Sequence, residues 1–133
     1  MILVDSNVLM YASGAEHPNK KPAVAFLKRV AAGEVEAAVD AEVLQEIIYR
    51  YRALHRWPEG RRIYELARGL FPEVLAITGP VMDGAKQLAD SDSRISARDA
   101  VHAAVVAEYG LEGICTFDRD FDRIRGCRRV GIR

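Results

Sequence analysis

Apolar positions in this chain follow two rhythms, short unbroken runs and stripes spaced by three and four, and the two take turns along its length. Ile2, Leu3 and Val4 are the first run and predict a buried strand over 2–5, followed by a short helix to about Tyr11. SGAEHPN at 13–19 is turn-rich and reads as a loop. Pro22 suits the first turn of a helix carrying Val24, Leu27, Val30 and Ala31, with Gly33 as its stop. EAAV at 36–39 is a second strand, and Asp40 is an N-cap for a helix with Val43, Leu44, Ile47, Ile48 and Tyr51 on one stripe. WPEG at 57–60 breaks that helix and 61–70 forms another. VLAIT at 74–78 is a third strand, Pro80 opens a helix to about Ala89, and DSDSR at 90–94 is a polar loop. Ser96 caps a helix that runs to Tyr109 and stops at Gly110, GICTF at 113–117 is a fourth strand, and CRRVGI at 127–132 offers a short edge strand.

This alternation predicts a three-layer α/β/α sandwich around a mostly parallel sheet of four or five strands. With no repeat or linker in between, residues 1–133 read as a single domain, long enough to bury a core.

Composition changes that picture little. Half the residues are apolar, and nineteen basic residues balance nineteen acidic ones, so global charge points to neither nucleic acid nor membrane. The apolar runs fall short of the roughly 20 residues that span a bilayer. No signal-peptide pattern precedes the first strand, and a cytoplasmic location is expected. Cys115 and Cys127 form no CxxC pair and are expected to stay unpaired.

The acids matter more, because ligands of open parallel sheets bind at the carboxyl ends of the strands. Asp5, Asp40 and Asp118 stand at such ends. Glu42 and Glu46, four apart, share one helix face at the same rim, and Asp99 follows the capping Ser96 by three. Each also has a structural reading. Ser96 to Asp99 is a capping box, Asp40 is a helix cap, and Glu42 and Glu46 suit solvated positions near a helix N-terminus. Asp118, Asp120 and Asp122 suit turns. Asp5 resists such a reading: ending a buried strand, it costs desolvation unless something pairs with it, and no Lys or Arg lies close in sequence. A divalent cation with hard oxygen ligands would serve the whole set. His17, His55 and His102 have no zinc-ligand spacing, and His102 reads as a packed or capping residue.

MILVDSNVL at 1–9, VLQEIIYRY at 43–51, SARDAVHAA at 96–104 and CTFDRDFDRI at 115–124 resemble, in order and spacing, the four blocks of PIN domains. Among these the chain is most similar to the VapC toxins of toxin–antitoxin pairs. The resemblance implies a PIN-like fold and a metal-dependent endoribonuclease. Mg²⁺ is the implied cofactor, with Mn²⁺ able to substitute. The implied metal and catalytic acids are Asp5, Glu46, Asp99 and Asp118, with Asp122 an additional metal acid and the role of Asp120 open. Asn7 and Thr116 would be supporting polar residues. Implied partners are an RNA substrate, a small antitoxin protein and a second copy of the chain as homodimer, with no membrane. Four clustered carboxylates without metal would also raise one another's pKa and weaken the metal-free chain near neutral pH.

RNA needs cations near these acids. One cluster is Arg50, Arg52, Arg56, Arg61 and Arg62, with Tyr49, Tyr51 and Trp57 available for stacking or for the core. The other is Arg119, Arg123, Arg125, Arg128, Arg129 and Arg133, of which Arg119, Arg125 and Arg129 are the expected RNA contacts. Rival readings fare worse. A phospho-acceptor Asp5 of the Asp-x-Asp kind is opposed by Asn7, and neither it nor a receiver domain accounts for Glu46 with TFDRDF. A non-catalytic PIN fold that binds RNA or protein would be marked by a lost acid, and all four are present.

Overall fold

Strand β1 (Ile2–Val4) runs through the middle of a four-stranded parallel sheet, between β2 (Ala37–Asp40) and β4 (Ile114–Cys115), and β3 (Val74–Leu75) lies outside β2. The structure, a computed structural model, describes residues 1–132, so Arg133 lies outside the described residues. Leu3 stands opposite Ala38 and Ile114, and Val4 opposite Cys115. Because successive strand residues point to opposite faces, the same short runs feed two cores.

Val4, Val39 and Cys115 pack with α1 (Ser6–Ser13), α2 (Lys20–Ala31), α3 (Ala41–Ala53) and α4 (Trp57–Leu70). Leu3, Ala38 and Ile114 pack with α5 (Gly79–Ser91) and α6 (Ala97–Glu108). That is the expected three-layer α/β/α sandwich. Every residue from Ala100 to Val106 on α6 is buried, which explains why that stretch is apolar on all sides save His102.

Several boundaries differ from expectation. WPEG does not merely separate two helices: Trp57 opens α4, with Pro58 in its first turn, where a missing N–H costs nothing. VLAIT pairs only at its first two residues before Thr78 turns away to cap α5. The expected fifth strand is reduced to one parallel bridge between Ile114 and Arg129. Gly113 permits that close approach, since a Cβ there would stand 2.4 Å from the Arg128 carbonyl oxygen. Ile48, assigned to the α3 stripe, is 41% exposed. Cys115 and Cys127 are both buried free thiols. Among the described residues no helix is long and apolar enough to cross a membrane.

Helix starts bring the polar residues to one rim. Asp5 caps α1 by accepting from the Ser6 N–H, Asp40 caps α3 through the Val43 N–H, and Ser96 caps α6 through the Asp99 N–H. Asp118 caps a 3₁₀ turn (Arg119–Arg123) through the Asp120 N–H.

Candidate active site

The strand order β3-β2-β1-β4 changes direction at β1, and the crevice beyond the carboxyl ends of β1 and β4 is where an open parallel sheet holds a ligand. Residues leaving those two strands meet there. Thr116 Oγ1 donates to Asp5 Oδ2 at 2.7 Å, and Asn7 Nδ2 lies 3.0 Å from Thr116 Oγ1 and 3.3 Å from Asp5 Oδ2. The Ser6 N–H donates to Asp5 Oδ1 at 2.7 Å. Thr116 Oγ1 also accepts the Asp118 N–H at 3.0 Å, which ties the next acid to the same hydroxyl.

Glu46 approaches from the second turn of α3. Its Oε2 accepts from Ser6 Oγ, and its Oε1 lies 2.6 Å from His102 Nε2. His102 Nδ1 lies 2.7 Å from Asp40 Oδ2, while Asp40 Oδ1 accepts the Val43 N–H at 2.9 Å. Asp40 is thus both the expected cap and the anchor of a buried histidine. His102 is 1% exposed, and its Nε2 stands 3.8 Å from Asp5 Oδ1. Burial alone would push its pKa down, but the hydrogen bonds to Asp40 and Glu46 and the charges of Asp40 and Asp5 outweigh burial and hold it well above the usual value. That direction favours the ring form with a proton on each nitrogen, which donates to both carboxylates.

This cation is the partner that Asp5 lacks in the local sequence. Sequence reasoning gave His102 only a packing or capping role. The signal that could have found it is a histidine inside a run of buried residues, where both ring nitrogens need partners.

The carboxyl pKa values divide accordingly. Asp5 is raised, by burial first and by the Glu46 charge, with His102 opposing. Glu46 is lowered: burial raises it, but the hydrogen bond and charge of His102 prevail. Asp99 is pushed up to about 6 by partial burial and by the charges of Asp118 and Asp5. Mutual repulsion, expected throughout the cluster, is outweighed by His102 at Glu46 and persists at Asp5 and Asp99.

Asp5, Asn7, Glu46, Asp99 and Asp118 line one cleft of 540 Å³. Within it, oxygens of Asp99, Asp118 and Asp120 come within 4.8 Å of one another. Those of Asp5 and Glu46 do so around the buried His102 beneath the cleft, whose two ring nitrogens are already taken by Asp40 and Glu46. The acids supply hard, anionic oxygen donors, the set that Mg²⁺ or Mn²⁺ takes, and Asp99 held up to about 6 is a carboxylate whose charge lacks compensation.

Asp122 is not brought to this cleft. It lines a separate cavity with Arg129, whose Nε and Nη2 donate to it at 2.9 and 3.0 Å, so the two residues satisfy each other. Arg125 lines another cavity beside α5, and Arg119 is exposed outside the cleft lining. The arginines that do line the cleft are Arg50 and Arg98. Arg98, which sequence reasoning passed over, lies over the Tyr49 ring at 4.6 Å and 3.7 Å from Glu42 Oε1. Tyr51 is buried in the core, and Tyr49, 56% exposed, is the aromatic that reaches the cleft.

Comparison with known proteins agrees with this architecture. The PIN domain family profile matches residues 2–126. Ribonuclease VapC13 of Mycobacterium tuberculosis is 39% identical over 130 residues, covering 98% of this chain and 99% of that protein. Two solved structures share the fold at lower identity. VapBC2 from Rickettsia felis, bound to a DNA fragment from its promoter, has a TM-score of 0.75 at 15% identity, and M. tuberculosis VapC20, a sarcin–ricin loop cleaving toxin, 0.71 at 23%. Each covers 98% of both chains. With its fold and nearly its whole length matched in this way, the chain belongs to the PIN-domain family, among the VapC-type ribonucleases.

Proposed function

We propose that this chain is a toxin endoribonuclease that hydrolyses RNA phosphodiesters, with Asp5, Glu46, Asp99 and Asp118 holding Mg²⁺ or Mn²⁺. The observation that carries the reading is the convergence of these four carboxylates on one cleft, from two strand ends and from helices on opposite faces of the sheet. Bound there, the ion would lower the pKa of a water and offset the charge that builds on the phosphate.

The chain's own groups prepare that chemistry. Thr116 and Asn7 orient Asp5, and Thr116 also fixes the backbone at Asp118. Ser6 and His102 occupy one oxygen of Glu46 each, so its carboxylate plane is set before any substrate arrives. Asp120 lines the acids' cleft and offers an oxygen within 4.8 Å of Asp99 and Asp118, whereas Asp122 lines a separate cavity, so Asp120 is the better candidate for an additional acid. Arg50 and Arg98 supply positive charge at the rim, where an RNA phosphate would otherwise meet only acids. Membership among VapC-type chains supports a small antitoxin protein as partner, and RNA as substrate supports action in the cytoplasm.

The test is a calorimetric Mn²⁺ titration of the antitoxin-free protein beside Asp5→Asn and Asp99→Asn, with RNA cleavage followed in Mg²⁺ and in EDTA. Binding and cleavage lost in both variants, with the fold retained, is the expected result. A wild type that cuts RNA equally in EDTA would overturn the metal assignment. A wild type that binds metal but cuts no RNA would favour the non-catalytic reading.

A further inference from the structure

We propose that a single RNA strand passes from the acidic cleft along α1, over Arg50 and the Tyr11–His17 pair, onto Lys21 and Lys28 of α2; this rests on the ribonuclease reading and specifies where its substrate lies. The cleft and a smaller neighbouring cavity share Asn7, Met10 and Arg50, so the surface is continuous from the acids outward. The smaller cavity is also lined by Tyr11. From there three rings stand in a row. Phe117, next to the strand-end Thr116, meets Tyr11 edge-on at 5.2 Å, and Tyr11 meets His17 at 4.6 Å and 33°.

His17 is exposed at the end of the row, and its Nδ1 accepts the Asn19 N–H at 3.0 Å, which fixes the ring's orientation. Beyond it lies a groove lined by Lys20, Lys21 and Lys28, with Glu16 as the acid among its described lining residues. Lys20 Nζ is turned inward to the Gly14 carbonyl at 2.6 Å, where it braces the corner between α1 and α2. Lys21 and Lys28 are exposed, seven residues and about two turns apart on one helix face.

A held ring followed by spaced cations is the pattern that binds a single strand, with a base stacked on the ring and the backbone tracked by lysines. The track's lysines line a different cavity from those lined by Arg125, Arg128 and Arg129, so the two surfaces make different predictions.

The probe is a fluorescein-labelled 12-nucleotide single-stranded RNA, with binding read by anisotropy across KCl concentrations in EDTA. The track variant is His17→Asn/Lys21→Ala/Lys28→Ala, in which asparagine keeps an acceptor for the Asn19 N–H while removing the ring. It should bind at least about five-fold more weakly, the lower bound for losing one stacked base. The slope of log K against log[salt] should flatten by about 1.4, from two phosphate contacts at about 0.7 each. Unfolding midpoint and Mn²⁺ binding should match the wild type. The comparison variant Arg119→Ala/Arg125→Ala should bind within two-fold of wild type.

A track variant that binds like wild type, with an unchanged salt slope, overturns the proposed path and leaves the ribonuclease reading standing. An equal loss of affinity for duplex RNA of the same length also overturns it, since the surface would then be a general basic patch. Wild-type protein that neither binds nor cuts RNA takes down both readings together.

Discussion

Replacing His102 with leucine removes the one cation from a buried set of three carboxylates, and its cost can be worked from the structure. His102 is 1% exposed and Asp40 is fully buried, while the Glu46 side chain is 13% exposed. Leucine fills much of the ring's space but donates nothing, so Asp40 Oδ2 loses its 2.7 Å partner and Glu46 Oε1 its 2.6 Å partner. Deleting one member of a buried ion pair costs about 3–5 kcal/mol, because the other charge is left in a poor solvent. Domains of this class have about 5–15 kcal/mol in total, so the variant should be folded but weak. At about 4 °C per kcal/mol for a chain of this size, the melting point should fall by about 12–20 °C.

The assay is urea unfolding in EDTA, with far-UV circular dichroism and tryptophan fluorescence from Trp57 as coincident probes. At an m-value of about 2 kcal/mol/M the midpoint should shift by about 2 M, with m unchanged. Asp40→Asn/His102→Leu should regain part of the loss, since asparagine keeps the cap on Val43 while removing the stranded charge. A loss below about 1 kcal/mol in His102→Leu, or no recovery in the double variant, would refute the claim that this histidine compensates the buried acids. In that case the weakening of the metal-free protein expected from carboxylate repulsion would be the better account.

Two other outcomes follow from the same geometry. Asp99 has a folded-state pKa of about 6, above its ordinary value of 3.8, so the stability it contributes is present below 3.8 and lost as pH rises through 6. In EDTA the wild type should therefore lose stability between pH 4 and 7, and Asp99→Asn should flatten that slope. Raised Asp5 acts in the same sense and will leave a residual slope. Equal slopes in the two proteins would show that Asp99 is not destabilised by its neighbours. At the end of α3, the Arg56 N–H donates to the Tyr51 carbonyl and the His55 N–H to that of Arg52, a helix stop that holds His55 at φ 56°. Glycine accepts that conformation without a Cβ penalty, so His55→Gly should raise stability by about 1 kcal/mol in the same urea assay. A destabilised variant would mean that the His55 side chain makes a contribution larger than the backbone strain.

The sheet and its helices were legible because they are encoded locally. Runs such as Ile2–Val4 and stripes such as Val43, Leu44 and Ile47 need only their own neighbours in sequence to be read. Strand length was not legible in that way: VLAIT stays apolar past the point where Thr78 leaves the sheet to cap α5, and hydropathy does not mark where pairing ends. The candidate site divides along the same line. Asp5, Asp40, Ser96 and Asp118 announced themselves because each begins a helix or 3₁₀ turn at the strand-end rim, where capping needs a side-chain oxygen. The resemblance to PIN domains then singled out Glu46 and Asp99 among acids that capping alone could explain.

What locality cannot supply is pairing across the sheet. His102 joins Asp40 and Glu46, 62 and 56 residues away, and Arg129 reaches back to Asp122 after the chain has bridged to Ile114. A tally of arginines in the last fifteen residues therefore says nothing about which rim they stand on. Buried polar residues are the better guide. A buried acid must have a partner, and a histidine set among Ala100, Val101, Ala103 and Ala104 must have two. Matching Asp40 to His102 on that requirement alone would have placed a cation beneath the acids before any coordinates were known. The same requirement explains how the cluster can be assembled without its ion: His102 compensates Asp40 and Glu46, while the charge of Asp118 still raises Asp99.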